Sequence, residues 1–282
     1  MIRIITDSTT NLPKEAVDKY GVEVVPLRVI FPSGTYRDGV EITTSEFYHM
    51  LTASPVLPTT SQPPVPDFEQ VFARATAGGD EVLAIVISSH LSGTYTSAVT
   101  AQRSFPEAKI TVFDSLATAA PAAFMVEHAA ERAAAGASVA EIIPDLEILR
   151  DRTQIFFVVD TLEYLHKGGR IGGAAVLLGS LLSIKPILTL KAGRVEAWGK
   201  ARGKRKALQL ALTALAQQVG TGSSVHAIVM HAACEQEARE FCQQVAATLH
   251  CPTPPLSEFS PVLGVHVGPG TIGVAAYNEQ WL

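Results

Sequence analysis

The sequence IVISSHLSGTYTSA, residues 85–98, decides which fold is expected. Its first residues continue an apolar run that begins at Val82, and such a run is typical of a strand covered on both faces in a parallel sheet. Serine, glycine and threonine then end the strand, and residues 95–105 have a helical pattern. The stretch therefore predicts an anion-binding turn around Ser92, because free backbone N–H groups and the helix dipole meet there. The alternative is that Ser92 only caps the helix.

The same succession of strand, polar turn and helix recurs along the first 160 residues. Strands are predicted to end near Thr6, Ser88, Asp114 and Asp160, and helices follow them. This alternation indicates an α/β fold with a mostly parallel sheet and helices on both faces. Ligands of such sheets bind beyond the carboxyl ends of the strands, so these polar residues predict one shared site. The alternative is that Asp and Ser are simply common in turns and helix caps.

From residue 163 onward the composition changes. YLHKGGR at residues 164–170 is basic and rich in glycine, and a small-residue apolar helix is predicted over residues 173–182. A hairpin around residues 191–193 and a basic segment at residues 200–206 follow, and a pair of strands interrupted by glycines is predicted near the end of the chain. We therefore expect a first domain over residues 1–162 and a second, smaller α/β domain over residues 163–282.

Two further segments carry candidate binding residues. Residues 55–66 hold five prolines around Thr60 and Ser61, and they predict a rigid loop without regular structure. His266 lies between two valines in a predicted apolar strand, where a histidine is more often part of the core than a ligand contact. A serine hydrolase that uses Ser92 and His266 is the enzymatic alternative, because catalytic triads follow geometry rather than chain order.

Composition argues against several other classes of protein. The formal net charge of -5 disfavours a general nucleic-acid-binding protein. The longest nearly apolar stretch is too short to span a bilayer, and the first residues lack the pattern of a secretory signal. The three cysteines form no CxxC pair, so we expect reduced thiols, no metal site and a cytoplasmic protein.

A series of motifs in order gives a specific resemblance. The chain begins with ITDSTTNLP and continues with TTSQP (59–63), SSHLSGTYTSA (88–98), YLHKGGRI (164–171), IKPIL (184–188), KARGKRKAL (200–208) and GVHVGPGTIG (264–273). From end to end it resembles the DegV family. The resemblance implies a two-domain DegV-like α/β fold that binds one long-chain fatty acid in a tunnel between its domains. It also implies a lipid-binding carrier that is not itself an enzyme and needs no cofactor.

The resemblance assigns roles to partners and residues as well. It implies that the protein presents the fatty-acid carboxylate to a partner fatty acid kinase, which makes acyl phosphate for phospholipid synthesis, with transient contact to a membrane surface. The implied residues are Thr60, Ser61, Ser92 and His266 for the carboxylate, Gly93, Thr94 and Arg170 near the site or the domain junction, and Arg202 on the surface for the partner or membrane. Two departures concern Val267, where the family usually carries threonine, and residues 116–121, where glycines are common.

Overall fold

The chain, described at residues 1–179 and 184–282 by a computed structural model, divides into two compact units. Unit 1 consists of Met1–Thr43 and Pro58–Asp151, and unit 2 consists of Thr44–Leu57 and Arg152–Leu282. The predicted break after residue 162 thus falls inside unit 2, and a segment of the N-terminal half also belongs to that unit.

Both units are mixed α/β structures, which confirms the predicted fold class. The strands are β1 (Ile2–Asp7), β2 (Glu23–Val25), β3 (Arg28–Phe31), β4 (Gly34–Arg37), β5 (Thr59–Ser61), β6 (Glu81–Val86), β7 (Ile110–Asp114), β8 (Gln154–Val158), β9 (Ile184–Lys191), β10 (Arg194–Arg202), β11 (Val225–His231), β12 (Leu256–Glu258) and β13 (Ile272–Asn278). The α-helices are α1 (Lys14–Tyr20), α2 (Thr44–Ala53), α3 (Val65–Thr76), α4 (Thr94–Gln102), α5 (Ala119–Ala134), α6 (Val139–Arg152), α7 (Glu163–Lys167), α8 (Lys204–Val219), α9 (Glu235–Leu249) and α10 (Pro261–Val267).

The main sheet of unit 1 is parallel, with the strand order β2-β1-β6-β7. Val82, Ala84 and Val86 of β6 pack in one core with α3 and α4. Leu83 and Ile85 point to the opposite face because successive strand residues alternate, and α5 contacts β1 and β6. The continuous apolar run of β6 therefore reflects a strand with helices on both faces, as predicted.

A second sheet of unit 1 has the order β4-β3-β5 and carries the TTSQP motif. The expectation that residues 55–66 lack regular structure is wrong for Thr59–Ser61, which form β5. These three residues pair with β3, and the prolines lie outside the ladder, where their missing N–H groups cost no hydrogen bond. The same expectation is wrong at Pro66, which lies in the first turn of α3, a position that proline favours.

The sheet of unit 2 has the order β10-β9-β8-β13-β11-β12. All its neighbours are antiparallel except β11 and β12. Helices α8 and α9 share a core with the sheet, in which Phe156, Leu215 and Phe241 are buried. The prediction that the strand before Asp160 belongs to the parallel sheet is therefore wrong. An apolar run such as that of β8 shows burial but does not distinguish parallel from antiparallel neighbours.

The prediction of two strands near the C-terminus is wrong, because helix α10 lies where the first of them was expected. His266 lies in this helix and not in a strand, and only β13 follows it. Pro261 occupies the first turn, where its fixed φ suits a helix. At Gly264 an added Cβ would lie 2.5 Å from Cε1 of Phe47, so α10 packs very closely against α2. This tertiary packing outweighs the strand preference of the valines.

The segment after α7 differs from the predicted helix over residues 173–182. A 3₁₀ helix, Gly172–Leu177, lies there instead, and residues 180–182 of the prediction lie outside the described residues. A Cβ on Gly172 would lie 2.3 Å from the carbonyl oxygen of Val195, so this turn packs directly on β10. Throughout the part of the chain that the structure describes, the helices are too short or too polar to cross a membrane.

Candidate functional site

The turn between β6 and α4 is closed by its own hydrogen bonds. The backbone oxygen of buried Ser88 accepts from the N–H groups of Leu91 at 2.9 Å and Ser92 at 3.1 Å. Gly93, rather than Ser92, is the N-cap residue of α4. The Ser92 hydroxyl lies 2.9 Å from Oγ1 of Thr94 and accepts from the Thr94 N–H at 3.3 Å. Two hydroxyls thus lie side by side where the first-turn N–H groups of a helix have no partner within it.

The TTSQP segment lies against this turn within unit 1. A Cβ built on Gly93 would lie 2.8 Å from Nε2 and 2.9 Å from Cδ of Gln62, so the glutamine amide packs on the glycine backbone. Gly93 has a φ of -73°, which any residue can adopt, so close approach explains the glycine. Gln62 was not among the predicted site residues, and its only signal in the sequence is its place in the TTSQP motif.

Thr60 and Ser61 direct their side chains to opposite faces of the small sheet. Thr60 pairs with buried Val29, and Ser61 pairs with Arg28. Directly opposite residues share a face and successive residues alternate, so the two hydroxyls do not point to the same side. On the Ser61 face, the Arg28 guanidinium donates to the Asp67 carboxylate at 2.8 Å.

A buried carboxylate joins the ends of β1 and β6 next to the Ser92 turn. Oδ1 of Asp7 accepts from the N–H and the hydroxyl of Thr9 at 2.9 and 2.6 Å, and Oδ2 accepts from the Ile87 N–H at 2.7 Å. Burial raises the pKa of the Asp7 carboxyl, and the hydrogen bonds from Thr9 and Ile87 oppose that shift. Asp7 therefore fixes the position at which the turn leaves the sheet.

In unit 2, the YLHKGGRI and GVHVGPG motifs pack against each other. A Cβ on Gly168 would lie 2.3 Å from Nδ1 of His266, and one on Gly268 would lie 2.2 Å from Cδ2 of Tyr164. The Arg170 guanidinium donates to the Gly168 carbonyl oxygen at 2.7 Å. Each glycine leaves the space that an aromatic ring of the other motif occupies, so the structure brings Arg170 and His266 into one cluster.

The environment of His266 keeps its imidazole neutral. Removal from water is the main cause that lowers its pKa to about 4, and the positive charge of Arg170 lowers it further. In a neutral imidazole one ring nitrogen carries a hydrogen that it can donate, and the other can accept a hydrogen bond. The ring can therefore serve a carboxylate as a hydrogen-bond partner but not as a counter-charge.

The predicted surface residue Arg202 is exposed at the end of β10 in unit 2. Lys200 on the same strand is also exposed, whereas the ammonium of Lys204 is neutralised by Glu237 at 2.5 Å. The basic segment thus contributes some free charges and some that are already paired.

Thiol and metal chemistry receive no support from the described residues. Within residues 1–179 and 184–282, no group of three or more metal-ligating side chains could hold an ion. The cysteines are free, and burial is the main cause that raises the pKa of each thiol, Cys234, Cys242 and Cys251. Protonated thiols are poor nucleophiles.

Unit 1 has a parallel sheet and a turn that carries two hydroxyls, and unit 2 has a mostly antiparallel sheet and a cluster around His266; together they define a class of two-unit α/β protein. The chain belongs to the DegV family, as its motifs predicted: the family model, described as an uncharacterised protein of the DegV family, matches residues 1–279.

Several relatives match over nearly their full length. A DegV domain-containing protein of Halalkalibacterium halodurans is 38% identical over 280 residues, which are 99% of each chain. The structure of a DegV family protein from Thermus thermophilus, described as fatty acid binding, has a TM-score of 0.92 at 40% identity and covers 98% of this chain and 99% of its own. A stearic acid-binding protein from Eubacterium ventriosum has a TM-score of 0.91 at 31% identity and covers 99% of both chains.

Proposed function

We propose that the protein binds a single long-chain fatty acid as a carrier and has no catalytic turnover of its own. The observation that supports this proposal most strongly is the pair of hydroxyls at Ser92 and Thr94, set at a helix start beside the TTSQP segment. Relatives with the same fold at 31 and 40% identity bind fatty acids. A fatty acid needs few polar contacts for its head and a large apolar surface for its tail, at about 0.8 kcal/mol per buried methylene.

In this proposal Ser92 is the central donor to the carboxylate. In this arrangement Oγ of Ser92 accepts from the Thr94 N–H and from the Thr94 hydroxyl, so that the Ser92 proton is directed to a ligand oxygen. The TTSQP segment supplies a second contact through Thr60 or Ser61. Because their side chains point to opposite faces, we propose that one contributes its hydroxyl and the other its backbone N–H.

On the resemblance of their motifs, we further propose that His266 and Arg170 of unit 2 also contribute to carboxylate binding. A neutral imidazole would donate one hydrogen bond, and the nearby guanidinium would favour a negative head group without clamping it. Hydroxyl and imidazole donors hold a carboxylate less tightly than a bidentate arginine, so its oxygen keeps its ability to attack a phosphoryl group.

The partner in this proposal is a fatty acid kinase that forms acyl phosphate for phospholipid synthesis. A kinase that uses ATP places this step in the cytoplasm, with transient contact to the membrane from which the lipid comes. Arg202 and Lys200 are the exposed charges on β10 that could meet an acidic partner or anionic lipid headgroups.

The first experiment measures bound lipid. Protein made in bacteria is analysed by mass spectrometry under native conditions and then denatured, and we expect one long-chain fatty acid per chain to be released. Delipidated protein should take up oleate with the same stoichiometry. Repeated preparations that neither release nor take up lipid would contradict the carrier proposal.

A second experiment separates the carrier from a serine hydrolase. Each hydrogen bond to a charged group contributes about 1.5–3 kcal/mol, so Ser92→Ala should weaken oleate binding roughly ten- to a hundredfold. Oleyl alcohol should bind the wild type less tightly than oleate, and that difference should shrink in Ser92→Ala. The hydrolase alternative expects loss of ester or thioester turnover instead. Equal oleate affinity of the two proteins would refute the placement of the head group at Ser92.

A further inference from the structure

Gln62 is an exposed residue whose amide nevertheless has a close and specific contact. The distances from a Cβ position on Gly93 to Nε2, Cδ and Oε1 of Gln62 are 2.8, 2.9 and 3.2 Å. Three atoms of one amide at nearly equal distances indicate that the planar group lies flat against the glycine. An exposed glutamine has no hydrophobic reason to adopt this position, and fixing its rotamers costs conformational entropy.

The contact joins the two segments that carry the hydroxyls of unit 1. Gly93 lies between Ser92 and Thr94, whose hydroxyl oxygens are 2.9 Å apart. On the other segment, the Ser61 hydroxyl donates to the backbone oxygen of Gln62 at 3.1 Å. Gln62 is therefore held by Ser61 through its backbone and contacts Gly93 through its side chain.

We propose that Gln62 is a positioning residue for the carboxylate site. Its amide holds the 59–61 strand against the 92–94 turn and thereby fixes the spacing between the donors of the two segments. This inference rests on the proposed function, which supplies the carboxylate. A fixed spacing matters for two oxygens that share one charge and much less for a single hydroxyl, so Gln62 favours acids over alcohols of the same chain length.

Four proteins test the positioning role: the wild type, Gln62→Ala, Gly93→Ala and the double variant. Oleate and oleyl alcohol affinities are measured for each by displacement of a fluorescent fatty acid. We expect each single substitution to weaken oleate binding about three- to tenfold and to change alcohol binding little. The double variant should bind oleate like Gln62→Ala, because an alanine at position 93 acts by displacing the Gln62 amide and causes no backbone strain at a φ of -73°.

Two more variants sharpen the test. Gln70→Ala, the same change at an exposed position of α3, should bind oleate like the wild type. Gln62→Glu keeps the shape of the side chain but adds a negative charge, so it should weaken oleate binding more than Gln62→Ala and leave alcohol binding at the Gln62→Ala level.

The outcomes distinguish the inference from the proposed function. If the wild type binds oleate and Ser92→Ala weakens it, while Gln62→Ala and Gln62→Glu bind like the wild type, only the role of Gln62 is overturned. If the losses of the two single variants multiply in the double variant, Gly93 acts independently and the positioning role is wrong. If the wild type binds no oleate, the proposed function fails and this inference fails with it.

Discussion

The His266 ring gives the stability of the protein a specific dependence on pH. Its pKa is about 4 in the folded protein and about 6.5 in an unfolded chain. Between these values the unfolded chain binds a proton that folded His266 does not, so the free energy of unfolding falls as pH is lowered from 6.5 to 4. The loss should be on the order of 3 kcal/mol at most and should level off below pH 4.

Urea unfolding of delipidated protein at pH 7.0, 5.5 and 4.5 checks this prediction. The glutamine of His266→Gln does not titrate. The fall in the free energy of unfolding between pH 7.0 and 4.5 should therefore be smaller in this variant, by the contribution of His266. Burial also lowers the pKa of His231, which contributes in the same direction in both proteins and therefore cancels in the comparison. If the free energy of unfolding depends on pH in the same way in the variant and the wild type, His266 is not desolvated.

Asp7 should contribute more to stability than its charge alone suggests. Asp7→Ala leaves the N–H groups of Ile87 and Thr9 without their carboxylate acceptor in a buried place. We expect the free energy of unfolding to fall by about 2–6 kcal/mol, because each of the two unsatisfied buried donors costs about 1–3 kcal/mol. Asp18→Ala on the exposed face of α1 is the matched control and should stay within about 0.5 kcal/mol of the wild type. Similar denaturation midpoints for the two variants would contradict the role of Asp7.

At the scale of elements, the β9–β10 hairpin holds an alanine in a backbone conformation that alanine disfavours. Lys191 pairs with Arg194, so Ala192 and Gly193 form a two-residue loop, and both have positive φ, 48° and 75°. Asparagine is strongly preferred at the first position of such a turn because it tolerates this conformation better than alanine. Ala192→Asn should therefore raise the free energy of unfolding by about 0.5–1 kcal/mol. Thermal unfolding of the wild type, Ala192→Asn and Lys191→Asn checks the prediction. Position 191 lies just outside the loop, so Lys191→Asn should not raise the free energy of unfolding.

The elements also show what the sequence could and could not reveal. β6 was predictable because its apolar run is short and ends at serine and glycine residues, and the hairpin was predictable from Gly193 between two strand patterns. Helix α10 was not, because its valines favour a strand and its packing against Phe47 depends on a residue more than 200 positions away.

The same distinction holds for the candidate site. The hydroxyls of Thr60 and Ser92 could be singled out from motifs. Serine and threonine at the start of a helix or in a turn bond to nearby backbone groups, so their neighbours in the sequence already indicate their role. The contact between Gln62 and Gly93 carries no periodic signal, because an exposed amide follows neither a helical nor a strand pattern. Only the folded arrangement of the two segments reveals it.

At the scale of the whole molecule, Arg202 should separate delivery from binding. Arg202→Ala should leave oleate affinity unchanged but weaken binding to phosphatidylglycerol vesicles about fivefold at low salt, since a basic residue near an anionic surface contributes about 1 kcal/mol. The difference should shrink as salt rises, because screening acts over roughly 8 Å at physiological ionic strength. Vesicle co-sedimentation checks this prediction. Arg239→Ala is the control, because the charge of Arg239 is already paired with Glu235. Loss of oleate binding in Arg202→Ala would contradict a surface role.

Unit 2 is assembled from two separate stretches of the chain, and this has a consequence for synthesis on the ribosome. Helix α2 is made early, but α10, against which Phe47 packs, follows only roughly 200 residues later. Synthesis proceeds at about 5–20 residues per second, so the apolar side of α2 stays uncovered for some ten to forty seconds before α10 is made. During that interval the nascent chain exposes a hydrophobic helix, although all residues of unit 1 have been made once Asp151 is added. Slow codons or a stall in the last third of the message should therefore increase aggregation and chaperone binding far more than a stall before α2.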